Sequence, residues 1–129
     1  MTVVLVYSNI AKVIVMEKIV WQALLYDFYG ELLNDHQKSI FEDSILNDLS
    51  LSEIASERGI SRQAVHDSLK RSNNILEEYE AKLHLVEKFI NTKEMVGKIH
   101  SLTGEYMESK DLTCIEDIEM ICNEILENY

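Results

Sequence analysis

Apolar residues recur every third or fourth position through most of the chain, which places them along one face of an α-helix. Val20, Leu24, Phe28 and Leu32 fall four apart within Glu17–Leu33, flanked by Ile19, Ala23, Leu25 and Tyr29. This predicts a helix with a wide apolar face, buried around much of its circumference. Asn34 can cap the next helix with Gln37 as its reciprocal partner, and Ile40, Phe41, Ile45 and Leu46 are its expected core residues. Asp48-Leu49-Ser50 then connects to the most tightly specified part of the chain.

In Leu51–Arg71 the pattern predicts two short helices joined by a tight turn. Ser50 caps the first, with Glu53 at the capping-box position. Ile54 points inward, and Ala55 is small enough to let another helix cross closely. Gly59 supplies the left-handed residue that ends the helix, Ile60 anchors the turn and Ser61 caps the second helix. Val65 and Leu69 share a face that must pack back on Ile54 and Ala55, leaving Arg62, Gln63, His66, Lys70 and Arg71 outside. This is the spacing of a helix-turn-helix, whose second helix is presented to a groove. The competing structural reading is a plain core hairpin.

Beyond Arg71, Val65, Leu69, Leu76, Tyr79, Leu83, Val86 and Ile90 keep a 4-3 rhythm, with Ser72 in one core slot. A continuous helix from Arg62 to Ile90 would be about 44 Å long. Its weak point is Ser72-Asn73-Asn74, where Asn74 could cap a new helix with Glu77. Asn91-Thr92-Lys93 reads as a break, and Glu94–Met107 as a weaker helix, since Gly97 and Gly104 each cost it roughly 1 kcal/mol. Ser109–Leu112 reads as a loop. Thr113 with Glu116 forms a capping box for a last helix carrying Ile115, Ile118, Met120, Ile121, Ile125 and Leu126. Residues 1–16 are different: Val and Ile dominate, Ser8-Asn9 divides two apolar runs, and a β-hairpin or extended arm is expected. Lys12 interrupts the apolar part and no basic residues precede it, so the segment does not fit a secretory signal. An alternative is that Met16 is the functional start and residues 1–15 are a non-native extension.

Composition sharpens this. With no proline and four glycines in 129 residues, few interruptions oppose an all-α chain. The formal net charge is −11. Residues 51–71 are the exception, with four basic and three acidic side chains. The helix-turn-helix is thus the one non-acidic stretch, although the field of the whole molecule opposes a polyanion. Cys114 and Cys122 lie eight apart in one predicted helix, separated by about 12 Å, and cannot bridge. Two thiols without a framework point to a reducing compartment. No stretch is long and apolar enough to span a membrane, so no membrane insertion is expected.

Leu33–Leu83 resembles the YlxM family of small bacterial proteins, itself similar to the C-terminal helix-turn-helix region of sigma factors. The residues that carry the likeness are Ser52-Glu53-Ile54-Ala55, Ser61-Arg62-Gln63-Ala64-Val65, Lys70-Arg71 and Leu76-Glu77-Glu78-Tyr79-Glu80. Gln37 and Lys38 sit where sigma-like regions usually carry Gln-Arg. The likeness covers most of the chain from Met16 on. It implies a cytoplasmic, all-helical regulatory or accessory protein linked to the signal recognition particle pathway, through the family's genetic neighbourhood with the particle's GTPase.

The expected architecture is therefore all-α. A sigma-like helix-turn-helix region at 34–71 and a helical tail at 72–129, comprising a long helix and two more, form one domain over 16–129. As a nucleic-acid interface, Ser61 and the amides beside it would hold a phosphate, Arg62, Gln63 and His66 would face base edges, and Lys70 and Arg71 would contact backbone, on DNA or RNA. Glu57 and Asp67 lie nearby and would repel phosphate. The alternative is a non-catalytic homodimeric adaptor, with the helix-turn-helix used only structurally and the heptad seam pairing two copies. Signal recognition particle components are expected partners by resemblance alone. An enzyme is the least expected reading: there is no phosphate-cradling glycine loop, and His36, His66, His84 and His100 are scattered. Only Glu80, His84 and Glu87 approach ligand spacing, as a solvated polar face more readily than a metal site. No cofactor is expected.

Overall fold

The computed structural model describes residues 10–129, with side chains described from Glu17 onward. These residues form six α-helices and no strand among them: α1 Ile10–Tyr29, α2 Asp35–Phe41, α3 Leu51–Arg58, α4 Arg62–Leu83, α5 Leu85–Ser109 and α6 Leu112–Glu127. A 3-10 turn, Gly30–Leu32, follows α1, and a π-helical turn, Glu42–Leu46, extends α2. The chain divides into two compact units, one ending at His84 and the other comprising Leu85–Tyr129. Of the N-terminal segment expected as a hairpin or arm, residues 1–9 lie outside the described range. Ile10–Met16 is helical and runs directly into the Glu17 pattern.

In the first unit α1 packs on α4. Trp21 Nε1 donates to Glu77 at 2.8 Å, Gln22 meets Asn73 at 3.4 Å, and the Tyr29 hydroxyl donates to the buried Glu80 at 2.6 Å. The buried stripe of α1 is Leu25 and Tyr29, continued by Leu33 beyond the helix. The expected stripe stands one residue to the side: Val20, Phe28 and Leu32 are all exposed. A helix with apolar residues on several faces does not reveal which face its neighbour will cover, and here the aromatic hydroxyl of Tyr29 needs a partner, which α4 supplies.

Asn34 caps α2 as expected, accepting from the Gln37 amide at 2.8 Å while the Gln37 side chain accepts from the Asn34 amide at 3.1 Å. Ile40 and Phe41 are buried, whereas Leu46 is exposed because the wider π-turn rotates it away from the core. Gly30 is buried under the Tyr26 ring, and a Cβ there would lie 2.8 Å from it. That ring is held on two sides, stacked on Phe41 at 5.2 Å and donating its hydroxyl to Glu42. Burial, then the Glu42 hydrogen bond, pushes the Tyr26 hydroxyl up to about 12.

The longest sequence expectation fails at one residue. The helix from Arg62 does not reach Ile90: it runs unbroken through Ser72-Asn73-Asn74 and stops at Leu83. His84 adopts the left-handed conformation (φ 55°) and its amide caps Glu80 O at 2.8 Å. A non-glycine residue there costs roughly 1–2 kcal/mol, which packing must offset and no local signal announces. The heptad seam is therefore cut, with Leu76 buried in the first unit. Glu80, His84 and Glu87 do not share one helix, since His84 ends α4 and Glu87 belongs to the second unit.

In the second unit α5 and α6 form an antiparallel hairpin. Asn91-Thr92-Lys93 is no break, and Glu94–Met107 is part of one 25-residue helix despite its two glycines. Lys110 (φ 58°) makes the turn, and Asp111 caps α6, accepting from the Thr113 amide at 3.0 Å. The cap thus sits two residues before the expected Thr113. Met95, Ile99, Leu102 and Tyr106 on α5 and Cys114, Ile118, Ile121 and Ile125 on α6 are at least half-buried. Near the chain's end the Tyr129 hydroxyl lies 2.6 Å from Thr92 Oγ1 and donates to Lys88 O at 3.0 Å. Both cysteines are free, and burial raises the Cys114 thiol above its ordinary value.

Gly30→Ala is expected to lower stability by about 1–3 kcal/mol, because the Tyr26 ring has nowhere to retreat. Chemical denaturation of the two proteins measures this.

Candidate nucleic-acid interface

The interface rests on one crossing. Ile54 and Val65 are fully buried and Ala55 nearly so, with Ile40 from α2 completing the cluster and Leu49, Leu51, Ile60 and Leu69 packed around it. Each of the large side chains contributes roughly 1.5–3 kcal/mol by leaving water. Gly59 turns the chain (φ 64°) and its amide bonds to the end of α3; no atom lies within 4 Å of a Cβ there, so conformation and not space demands glycine. Ser50 caps α3 by accepting from the Glu53 amide at 3.1 Å. The Glu53 carboxylate accepts from the Ser50 hydroxyl at 3.1 Å instead of from its amide, so the expected capping box is only half formed. Ser61 accepts from the Ala64 amide at 3.0 Å and caps α4.

α3 is also tied down at its far end. Arg58 donates to Asp43 and Ser39, both at 2.6 Å, with the pair mostly buried and Arg58 Nε enclosed. The Arg58 guanidinium holds the Asp43 carboxyl below its ordinary range. Arg58 is thereby committed to the fold, and the positive charge left for a ligand is that of α4 and its neighbours.

All six expected contact residues, Ser61, Arg62, Gln63, His66, Lys70 and Arg71, are exposed. Helical geometry places Arg62, Gln63, His66 and Lys70 on one stripe, while Arg71 falls on the adjoining face, four residues after Asp67. The first turn of α4 holds no acidic residue, so its outward amides and positive helix end are uncompensated. The Ser61 hydroxyl is occupied as the cap, which leaves the amides of Arg62 and Gln63 as the anion-facing donors.

Asp67, expected only to repel phosphate, also holds neighbouring side chains. Gln63 Nε2 donates to it at 2.9 Å, and His66 Nδ1 stands 3.6 Å from it. Two of the three expected base-reading side chains are therefore drawn toward one carboxylate beside the stripe. The i, i+4 spacing of Gln63 and Asp67 was the available signal. α3 exposes Ser52, Glu53, Ser56 and Glu57 around a shallow depression, which adds negative charge beside the crossing. Among the described residues no helix is long and apolar enough to cross a membrane.

Asp43→Asn is expected to cost about 1–2 kcal/mol at neutral pH by weakening the charged bond to Arg58. Because the folded carboxyl titrates below its unfolded value of about 3.9, this contribution is full above that pH and is lost as pH falls through the lower, folded value. Urea melts of both proteins should therefore converge in acid.

Known proteins place this geometry. A family model described as "Putative helix-turn-helix protein, YlxM / p13 like" matches residues 16–129. The UPF0122 protein YlxM of Bacillus subtilis (strain 168) is 43% identical over 107 residues, covering 82% of this chain and 97% of that protein. A UPF0122 protein of Bacillus cereus (strain AH187) is 46% identical over 90 residues, covering 70% of this chain and 82% of that protein. With the two-helix crossing, its caps and its turn glycine in place, and with the match running from Met16 to Tyr129, the chain belongs to the UPF0122 family of YlxM / p13-like helix-turn-helix proteins.

Proposed function

We propose that this protein is a non-catalytic regulatory or accessory factor that binds nucleic acid through the start of α4, acting in the cytoplasm within the signal recognition particle pathway. The observation that carries the reading is the exposed stripe of Arg62, Gln63, His66 and Lys70 beside an acid-free helix start, in an otherwise acidic chain. The pathway link rests on the resemblance of the sequence to the YlxM family. Binding is weak and salt-sensitive, because few phosphate contacts are available and the net charge of −11 opposes them. Asp67 is the brake: it engages the side chains that would reach bases, and a ligand must displace it.

A second reading, an adaptor that uses the helix-turn-helix only as structure, is favoured by that same capture of Gln63 and His66. Fluorescence anisotropy at low salt, against duplex DNA and against the RNA of the signal recognition particle, separates the two. Arg62→Ala and Lys70→Ala are each expected to weaken binding and to reduce the salt slope by roughly one. Absence of binding to either nucleic acid would leave the adaptor reading.

Asp67→Ala removes both the charge and the acceptor and so frees Gln63 and His66; it is expected to tighten binding by several-fold in the same titration. Unchanged or weaker affinity would show that Asp67 does not restrain the interface.

A further inference from the structure

One side of the α5–α6 hairpin is left open. A groove of about 790 Å³ runs there, and its apolar lining is Gly97 and Leu102 from α5 with Met120 and Ile121 from α6. Met120 is 69% exposed in it. Glu94, Asp117 and Glu124 stand along the same groove, with Lys98 as its cation. Among the described residues no ion pair or hydrogen bond joins these three carboxylates to Lys98 or to any other side chain. Gly97 has no reason within the chain to be glycine. It sits inside α5 without a positive φ, and no atom lies within 4 Å of a Cβ built on it. Glycine in a helix interior lowers the stability of that helix. What it supplies here is a low wall, on which another backbone can come close. Ser101, one turn on, lines the same groove and is also small.

We propose that this groove is the docking site of a short, basic, amphipathic helix from a protein partner. Its apolar side chains lie against Leu102, Met120 and Ile121, and its lysines or arginines face Glu94, Asp117 and Glu124. Charge selects the occupant. Three carboxylates against one lysine turn away nucleic acid and anionic membrane. They equally turn away the hairpin of a second copy, which carries four basic and ten acidic residues. A cationic helix supplies the counter-charge that the chain itself does not. Size agrees with this choice. The groove follows residues 94–102 of α5, about 12 Å of helix, and apolar anchors at i, i+4 and i+7 of a docked helix span about 10.5 Å. The lining suits it too, since Gly97 lets a helix axis approach and the flexible thioether of Met120 adapts to side chains of different shape. The inference uses no residue of α4, so it holds whether or not α4 binds nucleic acid.

Fluorescence anisotropy tests it, with the full chain titrated into a labelled peptide of leucine and lysine ordered at helical spacing. Saturable binding of one peptide per chain is expected. A peptide of the same composition with leucine and lysine alternating should bind at least about tenfold more weakly, because it forms no amphipathic helix. Gly97→Leu fills the groove, so it is expected to raise the melting temperature of the free chain and to weaken the peptide by about tenfold or more. Gly97→Ala, with the same directions and a smaller loss, serves where the leucine variant fails to fold. Asp117→Lys is expected to weaken binding by roughly tenfold and to flatten its salt dependence. Glu119→Lys makes the same charge change outside the groove and should leave the affinity almost unchanged. No binding, equal binding of the two peptides, or an equal loss in Glu119→Lys would overturn the proposal. So would a wild type that sediments as a dimer and is dissociated by Gly97→Leu, because a second copy would then fill the groove.

Discussion

The crossing of α3 over α4 is the constraint on which the first unit depends. Ile54 and Val65 meet at full burial only because Ala55 is small, because Gly59 accepts a left-handed turn, and because Ile40 closes the cluster from α2. Nothing in that arrangement concerns a ligand. Yet once those side chains are inside, Arg62, Gln63, His66 and Lys70 have no other place than the surface. Presentation of the outer stripe is a consequence of core packing, which is how a helix-turn-helix makes a binding face from elements too short to be stable alone.

Charge then limits what the stripe can do. Arg58, the one cation of α3, is spent on Asp43 and Ser39, which lock α3 to the segment before it. Asp67 draws in Gln63 and His66. What remains is a narrow positive feature on a molecule of net charge −11, suited to a ligand that brings shape or a second contact as well as phosphate.

The second unit is organised on another principle. α5 and α6 hold each other through one stripe apiece, with Tyr129 returning to Lys88 and Thr92. One side of the hairpin is an open groove whose polar lining is Glu94, Lys98, Ser101, Asp117 and Glu124.

Local chemistry was legible in the residues. The caps at Asn34 and Ser61, the glycine turn at Gly59, the burial of Ile54, Ala55 and Val65 and the exposure of all six candidate contact residues follow from short-range rules, since each depends on neighbours within about one helical turn. Only the tertiary structure decided which stripe of α1 is covered, because Val20, Leu24, Phe28 and Leu32 are as apolar as the stripe that packs and only the position of α4 and the need of the Tyr29 hydroxyl select between them. Only it decided that the seam ends at His84, since a histidine in a left-handed conformation is disfavoured locally and is held by its surroundings. The pairing of Arg58 with Asp43 was hidden for the same reason. Residues far apart in sequence meet through packing, and packing energy is not written at any single position.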